Sequence, residues 1–267
     1  MSHSSPATSR TLGTRRTRRI RRIAVPIAAA LLLAGCASGS TDSGTSGATG
    51  DSAPLPILTQ EVLDAEAEAG SGTDNAAADT SLAETALDVL DTIPVAERTE
   101  WDGYFQRDEY FGEGWADLDG DDCNTRQEVL ADQLEEVELN RDGCRVDFGV
   151  LDDPYTGETV EFMRGQGTSD KVQIDHVVAL YNAWRTGAQD LTQQERLELA
   201  NDPMNLQPTV DWANDEKESS DASQWLPPDE TYHCTYVARQ IVIKATYDLW
   251  VTPDEDAAMR DVLAGCV

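Results

Sequence analysis

All six tryptophans and four of the five cysteines lie at or beyond Trp101, and this segregation limits where a packed domain can form. From Trp101 to the C-terminus run about 165 residues, the size of one domain. The folded domain is therefore expected over residues 101–267. Cys123, Cys144, Cys234 and Cys266 form an even set. In an exported chain such a set reads as disulfides. Three pairings are open. Cys123–Cys144 with Cys234–Cys266 is favoured, because each pair brackets one local unit. A four-cysteine zinc site is the competing reading, but the set contains no Cys-x-x-Cys pair.

Export is read from residues 1–36. Arginines at 15, 16, 18, 19, 21 and 22 make a basic region before an apolar run from Ile23 to Ala34. That run is too short for a permanent span. It ends in Leu33-Ala34-Gly35-Cys36, which resembles a bacterial lipobox. The resemblance implies cleavage before Cys36, lipid on its sulfur, and anchoring at the outer face of the bacterial cell membrane. The plain alternative is an ordinary secretory signal with a coincidental cysteine. The Arg-Arg pairs also suggest a twin-arginine signal, but their flanks do not choose the route. Residues 37–100 are expected to be a flexible tether and acidic spacer, Gly/Ser/Thr/Ala-rich at first. Two weak helical patterns, Leu58 to Ala69 and Leu82 to Leu90, leave open whether that part packs on the domain.

Inside the domain the local signals give an α+β class with few strands. Thr125 and Glu128 stand at capping-box spacing. Val146, Phe148 and Val150 alternate, Asp153-Pro154-Tyr155-Thr156-Gly157 reads as a turn, and Glu158 to Met163 returns, which makes a hairpin. Thr192 with Glu195 caps another helix, Tyr232 to Trp250 is apolar enough for a buried one, and Thr252-Pro253-Asp254-Glu255 starts the last.

The chemistry gathers between Lys171 and Lys217. KVQIDHVVAL alternates like a strand and delivers Asp175 beside His176. Phosphodiester hydrolysis needs an activated water, charge stabilisation and help for the leaving oxygen. Asp175 is a hard oxygen ligand for a divalent cation, and His176, with an ordinary pKa of about 6.5, can take a proton from water. Asn214 offers a second, amide oxygen ligand, and Asn205 can hold the loop of the base. Lys217 follows Asn214 by three residues and is expected to meet a phosphate. Against this stands a formal net charge of −30, the wrong sign for a polyanion partner. Arg126, Arg164, Lys171, Arg185, Arg196 and Lys217 would have to gather on one face. Arg126 and Arg185 are the candidates for substrate contact.

The Asp-His pair, Asn205, Asn214 and Lys217, with the flanking TRQEVL, DPYTGE, QIDHVVALYNAWRTGA, ANDPMNLQPT and QWLPP, resemble the HNH or ββα-metal endonuclease superfamily. The likeness is to its exported bacterial branch, related to the C-terminal nuclease domain of modification-dependent restriction enzymes. It implies a strand–strand–helix core around one divalent metal, here with an added N-terminal hairpin, surrounding helices and disulfide bracing. By the same resemblance His176 matches the general base, Asp175 and Asn214 the metal ligands, and Asn205 the positioning asparagine; Lys217 matches a frequent member. The last motif position is Asn rather than His, which favours Mg²⁺ or Mn²⁺ over Zn²⁺. The expected activity is a lipid-anchored endonuclease acting on nucleic acid, DNA before RNA, with no small-molecule cofactor. The rivals are a non-catalytic binding lipoprotein on the same fold and a toxin silenced by an immunity partner.

Other motifs carry plainer readings. Asp117, Asp119, Asp121 and Asp122 are read as a solvated acidic turn rather than a calcium loop, His233 as a residue beside a disulfide, and Tyr181 and Trp184 as core.

Overall fold

A computed structural model of the chain describes residues 54–69 and 76–266. The signal region, Cys36 and the first part of the expected tether lie outside the described residues. In chain order the elements are α1 (Pro54–Ala69), α2 (Ala76–Leu90), α3 (Arg107–Phe111), α4 (Thr125–Gln133), β1 (Glu135–Leu139), β2 (Val146–Asp152) and β3 (Thr159–Met163). Then follow β4 (Val172–His176), α5 (Leu180–Ala183, continued by a wider turn over Trp184–Ala188), α6 (Gln193–Asn201), β5 (Leu206–Val210), α7 (Asp211–Lys217), α8 (His233–Thr246) and α9 (Pro253–Ala264). The class is α+β.

The apolar stretch after Tyr232 becomes α8, buried on nearly every side. Val237, Ala238, Ile241 and Val242 belong to one core cluster and Ile243 to a second, which contains Phe111, Leu180, Trp184 and Leu199. A helix apolar all round must be enclosed by other elements. Here α1, α2 and α9 close one side, through Leu58, Val62, Leu82, Leu90, Met259 and Leu263. The spacer expectation therefore fails for residues 54–90: Leu58, Val62, Leu82 and Leu90 stop at burial levels of core residues, and the folded unit starts near Pro54. Each pattern was too short to reveal its partner in the sequence.

Two buried charges on α8 fix its neighbours. Lys244 Nζ pairs with Glu255 of α9 at 2.8 Å and donates to the Trp250 carbonyl at 2.9 Å. Arg239 pairs with Glu66 of α1 at 2.6 Å. Cys234–Cys266 ties the start of α8 to the end of α9, and Cys123–Cys144 ties the loop before α4 to the approach to β2. Both bonds excludes the zinc reading, since all four thiols are used.

β1, β2 and β3 form an antiparallel sheet in that order, with β2 and β3 in register from Phe148↔Met163 to Asp152↔Thr159. The hairpin falls where its alternation and turn predict it. β1 was not anticipated: Glu-Glu-Val-Glu-Leu is acidic and mostly exposed, an edge strand without the apolar alternation that signals one. β4 and β5 form a separate antiparallel pair, Asp175 opposite Gln207 and His176 opposite Leu206, and α7 follows β5 directly. Helix starts are close to expectation, with full capping boxes at Thr192/Glu195 and Thr252/Glu255. The cap of α4 differs: Asn124 accepts from the Gln127 N–H, while the Thr125 hydroxyl donates to the Ala116 carbonyl.

The core position of α1 yields a direct test. Leu58→Ala should lower stability by ~2–5 kcal/mol, the range for a fully buried leucine, measured by urea unfolding. A shift under ~0.5 kcal/mol would return α1 to the status of a solvated spacer.

Candidate active site

Alternation along β4 sends Asp175 inward and His176 toward a cleft edge. Asp175 is only 4% exposed. Its Oδ2 accepts from the Tyr155 hydroxyl at 2.8 Å, and its Oδ1 accepts from Lys217 Nζ at 2.9 Å. The same ammonium donates to the His176 carbonyl at 2.8 Å. Burial raises the Asp175 pKa, and the Lys217 charge works against that rise. Burial also holds the Tyr155 hydroxyl protonated, well above its ordinary value, so it remains a donor.

Lys217 is thus 0% exposed and committed to Asp175 and to the backbone of β4. The expectation that it meets a phosphate gives way: a side chain three residues beyond Asn214 returns beneath α7 instead of facing solvent. It positions β4 against α7.

His176 is half-buried. Its Nε2 lies 2.9 Å from the Ala200 carbonyl, which can only accept, so Nε2 carries a proton and in the neutral ring the lone pair falls on Nδ1. Its ring lies parallel to that of Trp115, 5.8 Å between centroids and 2° between planes. Burial lowers its pKa to about 3, more than the Ala200 bond restores, so the ring is neutral near pH 7.

Asn205 is buried and fastens the chain after β4. Its Oδ1 accepts from the Val178 N–H at 2.8 Å, its Nδ2 donates to the Leu199 carbonyl at 3.2 Å, and its own carbonyl accepts from the Val177 N–H at 2.9 Å. Leu199 adjoins Ala200, the acceptor for His176, so one asparagine holds both the exit of β4 and the anchor of the imidazole.

Asp175, His176 and Asn214 line one cleft of ≈ 220 Å³, together with Phe105, Arg107 and Tyr181. Asn214 Nδ2 donates to Gln173 Oε1 at 2.5 Å, which orients the amide and leaves Oδ1 as its open acceptor. The donor chemistry fits a hard divalent cation. One carboxylate and one amide oxygen share the cleft, each Asp175 oxygen keeps a second lone pair, and no cysteine lines it.

The arginines separate. Arg126 reaches the Val172 carbonyl at 3.4 Å, beside Arg164 and Asp170, and is not among the residues lining the cleft. Arg185 donates to the Thr99 carbonyl at 3.0 Å and stands over the Tyr181 ring at 5.9 Å, behind the cleft wall. Trp184 is core, as expected, whereas Tyr181 is half-buried at the cleft. Asp117, Asp119 and Asp121 are exposed and bring carboxylate oxygens within 4.8 Å of one another, while bonding the turn's own N–H groups. His233 donates from Nε2 to the Pro227 carbonyl and takes no part in the cleft.

Sequence reasoning missed five participants. Tyr155 was read only as a turn residue, although a large aromatic inside a polar turn signals inward burial. Gln173 stands two residues before Asp175 and so shares its strand face. Trp115 and Arg107 lie far from β4 in sequence and gave no local signal. Arg239 was visible as a charge inside an apolar helix. It donates to the carbonyls of Met204 at 2.9 Å and Leu206 at 3.1 Å, and to Gln207 Oε1 at 2.5 Å, which brackets Asn205.

The profile of the family described as GmrSD restriction endonucleases, C-terminal domain, matches residues 107–262. An uncharacterized secreted protein of Arthroderma benhamiae is 36% identical over 186 residues, covering 69% of this chain and 86% of that protein. No solved structure matches.

Two outcomes follow from the charges. Because His176 binds its proton below its unfolded pKa of about 6.5, the unfolded chain takes up a proton first as pH falls. Stability should therefore drop from pH 6.5 toward 3 by up to ~1.4 kcal/mol per unit from this residue. His176→Gln should flatten that slope in unfolding curves taken at several pH values; an unchanged slope would place the acid sensitivity elsewhere. Lys217→Met should cost ~3–5 kcal/mol at pH 7 by orphaning the buried Asp175 carboxylate. Adding Asp175→Asn should recover part of the loss, and strict additivity of the two would argue against the pair.

Proposed function

The chain belongs to the GmrSD restriction endonuclease C-terminal domain family, and from that premise and its cleft we propose that it is an exported, metal-dependent endonuclease. The observation that carries the reading is the His176 tautomer. Its Nε2–H is held by Ala200, so the basic nitrogen, Nδ1, belongs to a residue lining the cleft shared with Asp175 and Asn214.

In this reading Nδ1 takes a proton from a water as its oxygen attacks phosphorus in line. A P–O bond forms to that water, the bond to the 3′ oxygen breaks, and the leaving oxygen is protonated from solvent. Burial makes the imidazole a weak base, but negative charge growing on the phosphorane raises its proton affinity at the moment of attack. Asn205 and Ala200 keep the ring from turning, and the Lys217–Asp175–Tyr155 network keeps β4 in place. Asp175 and Asn214 would hold Mg²⁺ or Mn²⁺, which when bound supplies the charge that stabilises the phosphorane. DNA is favoured over RNA by the family. Export is supported by the basic-apolar leader and by the secreted relative. Lipid on Cys36 is the proposed anchor; among the described residues no helix is long and apolar enough to cross a membrane.

One observation favours a second reading, a binding protein without turnover: the net charge of −30 works against holding a polyanion. Plasmid and single-stranded DNA incubated at low salt with purified protein and Mg²⁺, Mn²⁺ or EDTA decides between them. The endonuclease should cut only with metal, and His176→Ala should lose ~10²–10⁴-fold in rate. Absence of cutting with either metal, or full activity in His176→Ala, would favour the binding protein.

A further inference from the structure

The cleft beside His176 has a second wall that hydrolysis itself does not require. Phe105 and Tyr181 both line it, their rings 5.0 Å apart and tilted at 58°. Both rings are half-buried, so each keeps an open part. Behind them the aromatic packing continues into Trp184, and Arg185 backs Tyr181. Arg107 opens α3 at the same cleft with its side chain 38% exposed. Its ion pair is with the adjacent Asp108 at 3.2 Å, an exposed contact that a phosphate can displace. Among the described residues lining the cleft it is the only cation, since Lys217 is buried with Asp175.

We propose that this cleft selects single-stranded or unpaired nucleic acid, one base lodging against Phe105 and Tyr181 while Arg107 meets the neighbouring phosphate. This rests on the endonuclease reading and names its substrate class. Three physical considerations converge on it. A cleft of ≈ 220 Å³ has room for one base against the two rings. Base–aromatic contact does not depend on charge, so it survives in a protein of net charge −30, whereas a duplex presents a phosphate every ~1.7 Å of its axis and needs many cations. Glu218, which lines the same cleft, opposes the approach of a second strand's phosphates.

The test is fluorescence anisotropy of a labelled 12-nucleotide single strand and its blunt duplex, at low salt with Mg²⁺, using the full chain carrying His176→Ala to prevent turnover. The single strand should bind at least tenfold more tightly. Adding Arg107→Gln should weaken single-strand binding about tenfold and reduce the salt slope by about 0.7, as for one lost phosphate contact. Adding Tyr181→Leu should weaken it about tenfold with the slope unchanged. If Tyr181→Leu does not fold, Arg107→Gln at its exposed position carries the test. Equal or tighter duplex binding, no binding of either, or an unaffected Arg107→Gln would overturn the proposal. The two readings separate cleanly. Strand-selective binding without cleavage by the unsubstituted chain refutes only the hydrolase, and cleavage without strand preference refutes only the base-lodging cleft.

Discussion

The buried ion pair between Asp175 and Lys217 is the contact on which the rest of the site depends. It joins β4 to the last residue of α7, and through the Tyr155 hydroxyl it joins both to the turn of the β2–β3 hairpin. A carboxylate and an ammonium removed from water repay their desolvation only when the geometry is good and the remaining hydrogen-bonding capacity is met. Here each carboxylate oxygen has a donor and the ammonium a second acceptor in the His176 carbonyl. Asp153 secures the same turn from the other side, accepting from the Thr209 hydroxyl and the Val210 N–H of β5. His176 therefore sits on a strand held by polar contacts of its own and through its partner strand β5, rather than by apolar packing alone.

Arg239 performs the corresponding task for β5. Its donors reach the carbonyls of Pro203, Met204 and Leu206 and the Gln207 side chain, so the turn carrying Asn205 cannot shift without breaking several charged hydrogen bonds. The countercharge, Glu66, comes from α1, outside the stretch matched by the family profile. The N-terminal helices thus complete both the apolar enclosure of α8 and the electrostatic balance of an arginine that bears on the site. They belong to the folded unit physically, although their sequence resembles a spacer.

The acidity of the chain and the chemistry of the cleft are reconciled by locality. Acidic side chains crowd exposed places such as the turn of Asp117, Asp119 and Asp121 and the edge strand β1. At the cleft the one buried carboxylate is neutralised by Lys217, and beyond a Debye length of ~10 Å exposed charges are largely screened at moderate salt. Net charge governs how a long polyanion approaches; the cleft's own few groups govern what can stay.

Much of this was legible in the sequence because it depends on neighbours along the chain. Alternation and turn chemistry located the hairpin, capping boxes located α6 and α9, and even cysteines bracketing local units gave the disulfide pairs. The Asp-His pair on a strand, with Asn214 after it, pointed to residues that line one candidate cleft. Other features depend on groups brought together from distant positions. Whether Leu58 and Leu82 meet a core, whether Lys217 faces solvent or Asp175, and which nitrogen of His176 is free are settled by tertiary partners: α8, the inner face of β4 and the Ala200 carbonyl. Local sequence determined which side chains were available and on which element, because periodicity and capping act over a few residues. Only the tertiary structure decided each one's charge state and accessibility, because burial and hydrogen bonding are properties of the surroundings.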